Sequence, residues 1–117
     1  MIKLRNTNTV TISTGTIAAS GSYTTDAFDC TELEGYFSLQ WTVTGDGTMK
    51  AEVLSSNNGS DFSDINPDIT SGQTKTSGSS GTKMDSFVVA PCNQLKIKFT
   101  ETGTSDSIAV AARLRAF

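Results

Sequence analysis

G-Y-F-S-L-Q-W-T-V-T-G-D-G-T-M-K-A-E-V-L-S, residues Gly35 to Ser55, decides the fold. Phe37, Leu39, Trp41 and Val43 alternate with Tyr36, Ser38, Gln40 and Thr42. After Gly45-Asp46-Gly47 the alternation resumes, with Met49, Ala51 and Val53 against Lys50, Glu52 and Leu54. A period of two places one apolar face on each run. Two such runs joined by a short Gly/Asp cluster predict a β-hairpin. The single Trp sits mid-strand on the apolar side, so this segment is expected at the centre of the core.

The same pattern continues on both sides. Thr9 to Ser13 alternates and predicts a first strand, followed by a Gly/Ser-bounded connector containing Ile17. Ser22 to Phe28 is a weaker strand, interrupted by Asp26. Asn58-Gly59 predicts a turn, because both residue types tolerate positive φ. Phe62 and Ile65 are expected to return the chain to the core. Ser71 to Lys83 reads S-G-Q-T-K-T-S-G-S-S-G-T-K, a Ser/Gly-rich stretch without an apolar anchor, and predicts a flexible loop. Strand character returns at Ser86 to Ala90. Gln94 to Thr100 points Leu95, Ile97 and Phe99 inward and Lys96 and Lys98 outward. Glu101 to Asp106 reads as a polar, Gly-containing turn. In the last strand, Ser107 to Phe117, Ile108, Val110, Ala112 and Leu114 point inward and Arg113 and Arg115 outward. These runs predict one all-β domain over 1–117. Its expected form is an antiparallel β-sandwich, jelly-roll-like, of about seven or eight short strands.

Composition narrows the function. Nine Lys+Arg against twelve Asp+Glu give a net charge of −3. A main role in binding free nucleic acid is not expected, since phosphate binding needs a basic footprint. No run approaches the roughly 20 apolar residues of a membrane-spanning helix. Met1 to Asn6 leads into Thr-rich sequence without an apolar segment, so no signal peptide is expected. Without histidine, Ser-His and Cys-His nucleophiles are unavailable. Two Cys, Cys30 and Cys92, cannot by themselves complete a zinc site of the usual composition. In a chain without a secretion signal, such a distant pair is read as two buried thiols ahead of a disulfide. Asp61, Asp64 and Asp68 are close in sequence and could in principle form an acid pair or hold a surface Ca²⁺. Their place beside Asn58-Gly59 and Asn66-Pro67 favours turn residues instead. Gly72 to Gly81 lacks the Walker-type Gly-Lys-Ser/Thr, so no phosphate cradle and no cofactor are expected. An enzyme is not expected.

Candidate interaction residues are the outward ones. If the last two strands pair antiparallel, Lys96, Lys98, Arg113 and Arg115 share one face. That face is either a docking surface for an acidic partner or a solvated face whose lysines guard an edge. Tyr36 and Gln40, with Lys50 and Glu52, form a second outward set open to the same two readings.

Gly35 to Val53, the Ser56-Asn-Asn-Gly-Ser-Asp-Phe62 turn and the ending Leu95 to Leu114 resemble, in order and spacing, small β-sandwich virion proteins of tailed bacteriophages. Those occur as head decoration, head–tail joining or tail components. The resemblance spans roughly Gly35 to Leu114 and brings no catalytic residues with it. It implies a structural protein that oligomerises or docks on other virion proteins and is assembled in the bacterial host cytoplasm. The alternative reading is a carbohydrate-binding β-sandwich module. That reading needs exposed aromatic rings, for which Tyr23, Tyr36 and Phe117 are available.

Overall fold

A computed structural model describes residues 1–5, 8–33, 35–66, 75–76, 83–88 and 93–116; for 64–66, 75–76 and 83–88 it describes backbone only. Among the described residues, eleven strand segments follow one another: β1 (Ile2–Lys3), β2 (Thr9–Ile17), β3 (Ser22–Thr24), β4 (Phe28–Asp29), β5 (Tyr36–Gly45), β6 (Thr48–Ser56), β7 (Ser63–Asn66), β8 (Lys75–Thr76), β9 (Lys83–Val88), β10 (Gln94–Glu101) and β11 (Ile108–Ala116). Eight of them are three residues or longer. One sheet runs β2-β11-β5-β9. The other runs β1-β4-β10-β6-β7, with β3 also on β10 and β8 on β6. Numbering only the eight longer strands, the sheets read 1-8-3-6 and 2-7-4-5, which is the jelly-roll order. The fold is therefore the expected β-sandwich.

Alternation predicted the core correctly. Phe37, Leu39, Trp41, Val43, Met49, Ala51, Val53, Leu95, Ile97, Phe99, Ile108, Val110, Ala112 and Leu114 are all buried. Leu4, Ile12, Ile17, Phe28, Cys30 and Ala116 complete the cluster.

The central hairpin is corrected. β5 hydrogen-bonds to β11 and β9, whereas β6 hydrogen-bonds to β10, β7 and β8. Asp46-Gly47 therefore carries the chain from one sheet to the other, and the two apolar faces meet across the core instead of lying side by side. Period-2 alternation is identical in both arrangements, so the pattern could not separate them. The backbone at the crossing is specific. Gly45 has φ +95°, and a Cβ there would collide with the Ser107 carbonyl oxygen. Gly45→Ala is expected to destabilise the protein by more than about 1 kcal/mol, read as a lowered denaturation midpoint. An unchanged midpoint would show that the crossing can relax.

The hairpin between neighbours in the chain lies one step later, at β6–β7. Its turn is the Asn58-Gly59 segment, with Gly59 at φ +78°. The Ser56 hydroxyl accepts from the amides of Asn58 (3.2 Å) and Gly59 (2.9 Å). Asn58 Oδ1 accepts from the amides of Ser60 and Asp61, both at 2.9 Å. Short polar side chains thus replace the ladder where it runs out.

Other expectations shift in detail. The first strand continues through the connector to Ile17, with a bulge against β11 at Thr14-Gly15. Ser22 to Phe28 splits into β3 and β4, and Asp26 lies in the gap. Phe62 does not join the core cluster. It is half-buried, and the Lys96 ammonium sits 4.1 Å from its ring centroid. The Ile65 side chain lies outside the described residues. So does most of the stretch 71–83, within which Lys75–Thr76 pairs with Thr48 and Met49 and Lys83 begins β9. Cys30 is buried, and its amide donates to the Asn93 carbonyl at 3.0 Å. Cys92 lies outside the described residues.

Candidate docking faces and a buried carboxylate

The four basic candidates do not share a face. Lys96 and Lys98 lie on β10, whose partners are β3, β4 and β6. Arg113 and Arg115 lie on β11, between β2 and β5 in the other sheet. The chain crosses the sandwich between the two strands, so the pairs point away from opposite sides. The antiparallel pairing of the last two strands is thereby corrected.

The lysine face is internally compensated. Lys98 stands opposite Glu52 in the ladder. Lys50 Nζ lies 3.7 Å from a Glu52 carboxylate oxygen, and Lys96 rests on Phe62.

The arginine face gathers the other candidates. Register places Arg113 beside Gln40 on one side and Thr11 on the other, and Arg115 beside Ser38 and Thr9. Tyr36, at the start of β5, is 54% exposed on this same side. The next cross-strand row is Ser13–Ala111–Thr42. Because Ala111 has only a methyl group, the middle of the sheet is low there. A shallow trough of about 240 Å³ results, bounded by Thr11, Gln40, Thr42 and Arg113. Sequence reasoning named Gln40 and Arg113 on its rim but not the trough, since Ala111 gains meaning only once β2 and β5 are known to flank it.

Of the acid candidates, Asp61 is exposed and accepts from Asn58 Nδ2 at 2.8 Å, a turn contact. Asp64 lies in β7 with its side chain outside the described residues, as does the whole of Asp68. No cluster of metal-ligating side chains occurs among the described residues.

One functional group escaped the sequence reading. Glu101, placed in a polar turn, is the last residue of β10 and only 1% exposed. Its carboxylate accepts four backbone N–H bonds. Oε1 takes Ser20 (3.0 Å) and Thr104 (2.8 Å); Oε2 takes Thr48 (2.9 Å) and Gly103 (2.6 Å). These amides come from three separate crossings between the sheets: β2 to β3, β5 to β6, and β10 to β11. Ser20 and Thr104 have φ of 60° and 70°, a left-handed backbone unusual outside glycine. Both turn their amides onto the same oxygen. The bonds, with Thr48 largest and Ser20 next, outweigh the opposing effect of burial and hold the carboxyl at about 2, against an ordinary 4.5. The signal was present: Leu95, Ile97 and Phe99 are inward, so position 101 is inward too, and a carboxylate there requires donors.

No family model and no characterised protein sequence matches the chain. Solved structures match by fold. Tailspike protein 4 of bacteriophage CBA120, in its enzymatically active domain, superposes with TM-score 0.60 at 11% identity, covering 97% of this chain and 18% of that one. The Yersinia pseudotuberculosis-derived mitogen gives 0.54 at 14% identity, covering 95% and 87%. The CBM22-1 xylan-binding domain of Paenibacillus barcinonensis Xyn10C gives 0.52 at 8% identity, covering 77% and 62%. The chain thus spans less than two thirds of the xylan-binding chain and about a fifth of the tailspike chain. At these identities the likeness establishes the β-sandwich fold.

Proposed function

We propose that this protein is a non-enzymatic structural component of a tailed-phage particle that oligomerises within the virion or docks on its other proteins. The observation that carries this reading is the β2 edge of the four-stranded sheet. Among the described residues β2 pairs with β11 alone, and its nine residues, Thr9 to Ile17, contain no charge and no proline. Edges in monomeric sheets are ordinarily protected by lysine, proline or shortness. Here the bulge at Thr14-Gly15 is the one such device, and it leaves Thr9 to Ser13 regular. A five-residue open edge beside a hydroxyl-rich flat face suits association with a second copy or a neighbouring subunit. The resemblance to phage virion sandwiches and the occurrence of the same fold within a bacteriophage tailspike support the setting.

Analytical ultracentrifugation at high micromolar concentration, with and without a capsid or tail preparation, tests it. An oligomer or a particle-bound fraction is expected, weakened by Ser13→Lys, which adds charge to the edge. A strict monomer that sediments with no particle would overturn the proposal.

A further inference from the structure

We propose that the trough on the outer face of the four-stranded sheet binds a carboxylate-bearing oligosaccharide, with Arg113 as the partner of the carboxylate. The inference rests on the face itself and stands apart from the virion reading.

The shape comes first. Ala111 floors the trough on β11, while Thr11 on one side and Gln40 and Thr42 on the other supply its walls. Hydroxyl and carboxamide groups of this kind donate and accept, as sugar hydroxyls do.

Charge comes next. The outward positions of β2, β5 and β11 hold hydroxyls, small residues, one carboxamide, two arginines and no carboxylate, in a chain whose acids outnumber its bases twelve to nine. Arg113 is exposed and makes no ion pair among the described residues. On the opposite sheet, by contrast, Lys50 and Lys96 are engaged. A guanidinium presents a planar fork that matches a carboxylate with two parallel hydrogen bonds.

The backbone then selects among anionic partners. β11 and β5 are interior strands, with ladder partners on both sides. Their main-chain groups are already used, so an acidic peptide laid in the trough cannot add as a strand. Recognition there falls to side chains alone, which favours a polyhydroxylated ligand. Tyr36 lies four residues from Gln40 along the same side of β5, about 13 Å at the strand rise. Its exposed ring offers a stacking surface to a further sugar of the same chain.

Titration calorimetry of the full chain with tetragalacturonate, and with xylotetraose as the neutral counterpart, tests the proposal. Tetragalacturonate is expected to bind, more weakly as salt rises. Arg113→Ala is expected to lose about tenfold or more in affinity, and Arg113→Lys to recover part of it. Ala111→Leu, which fills the floor, is expected to abolish binding, while Lys3→Ala, a cation removed elsewhere, leaves it unchanged. Unaltered thermal midpoints would show that the Arg113 and Ala111 variants remain folded. Equal affinity for xylotetraose, wild-type affinity in Arg113→Ala, preference for an oligoglutamate peptide, or binding to neither saccharide would each overturn the proposal. None of these results bears on the sedimentation outcome, so the two readings fail separately.

Discussion

Trp41→Ala is expected to lower stability by about 3–5 kcal/mol, the loss typical of a large aromatic truncated in a packed core. Trp41 is the largest fully buried side chain, 1% exposed, and lies in the middle of β5. It faces the second sheet across the sandwich, so its removal empties space that neither sheet can fill by moving alone. One feature limits how much of the cost belongs to the indole nitrogen. Trp41 Nε1 is buried and has no hydrogen-bond partner among the described residues. An unmet donor costs free energy in the folded state, so its loss brings some relief. Trp41→Phe keeps much of the volume and removes the donor, and is expected to cost clearly less than Trp41→Ala. Chemical denaturation of the three proteins checks this. Equal losses for Phe and Ala would mean that the nitrogen is satisfied and contributes to stability.

Glu101→Gln is expected to cause a large fall in stability at neutral pH and to change its acid dependence. Glutamine is not a neutral copy here. One of the two oxygens becomes an NH₂ donor facing two N–H donors, either Ser20 and Thr104 or Thr48 and Gly103. The crossings it ties together then lose a common acceptor. The sign of the pH effect follows from the carboxyl's position. Its value in the folded protein is about 2, below the ordinary 4.5. The stabilisation is therefore fully present above about 4.5 and is lost as pH falls through about 2. Denaturation midpoints measured across the acid range should show the wild-type advantage over Glu101→Gln shrinking within that window. A gap that stays constant down to the acid limit would show that the charge of Glu101 is not its source.

The Glu101 effect arises where neighbouring strands leave one sheet for the other, and those crossings also create the two outer faces. The Glu101 corner holds β10 and β11 on opposite sides, which separates Lys96 and Lys98 from Arg113 and Arg115. In the other sheet β5 pairs with β11, which brings Gln40 next to Arg113. The stability of that corner and the makeup of the candidate trough are thus consequences of one topology.

Alternation along the chain was enough to assign the inward residues of β5, β6, β10 and β11, because side-chain direction in a strand depends only on the local backbone. The Asn58-Gly59 turn was legible for the same local reason. The partners of each strand were not. Facing strands and paired strands carry the same period of two, so Gly45-Asp46-Gly47 looked like a hairpin turn and proved to be a passage between sheets. What decides the matter is long-range: β5 is flanked by β11 and β9 and β6 by β10, all distant in sequence, so neither pairs with the other. The trough depends on which alanine lies between which neighbours, and the four bonds to Glu101 depend on amides 81 and 53 residues away as well as on two nearby ones. Residue order along a strand states which side is apolar; only the assembled sheets decide what stands across from it.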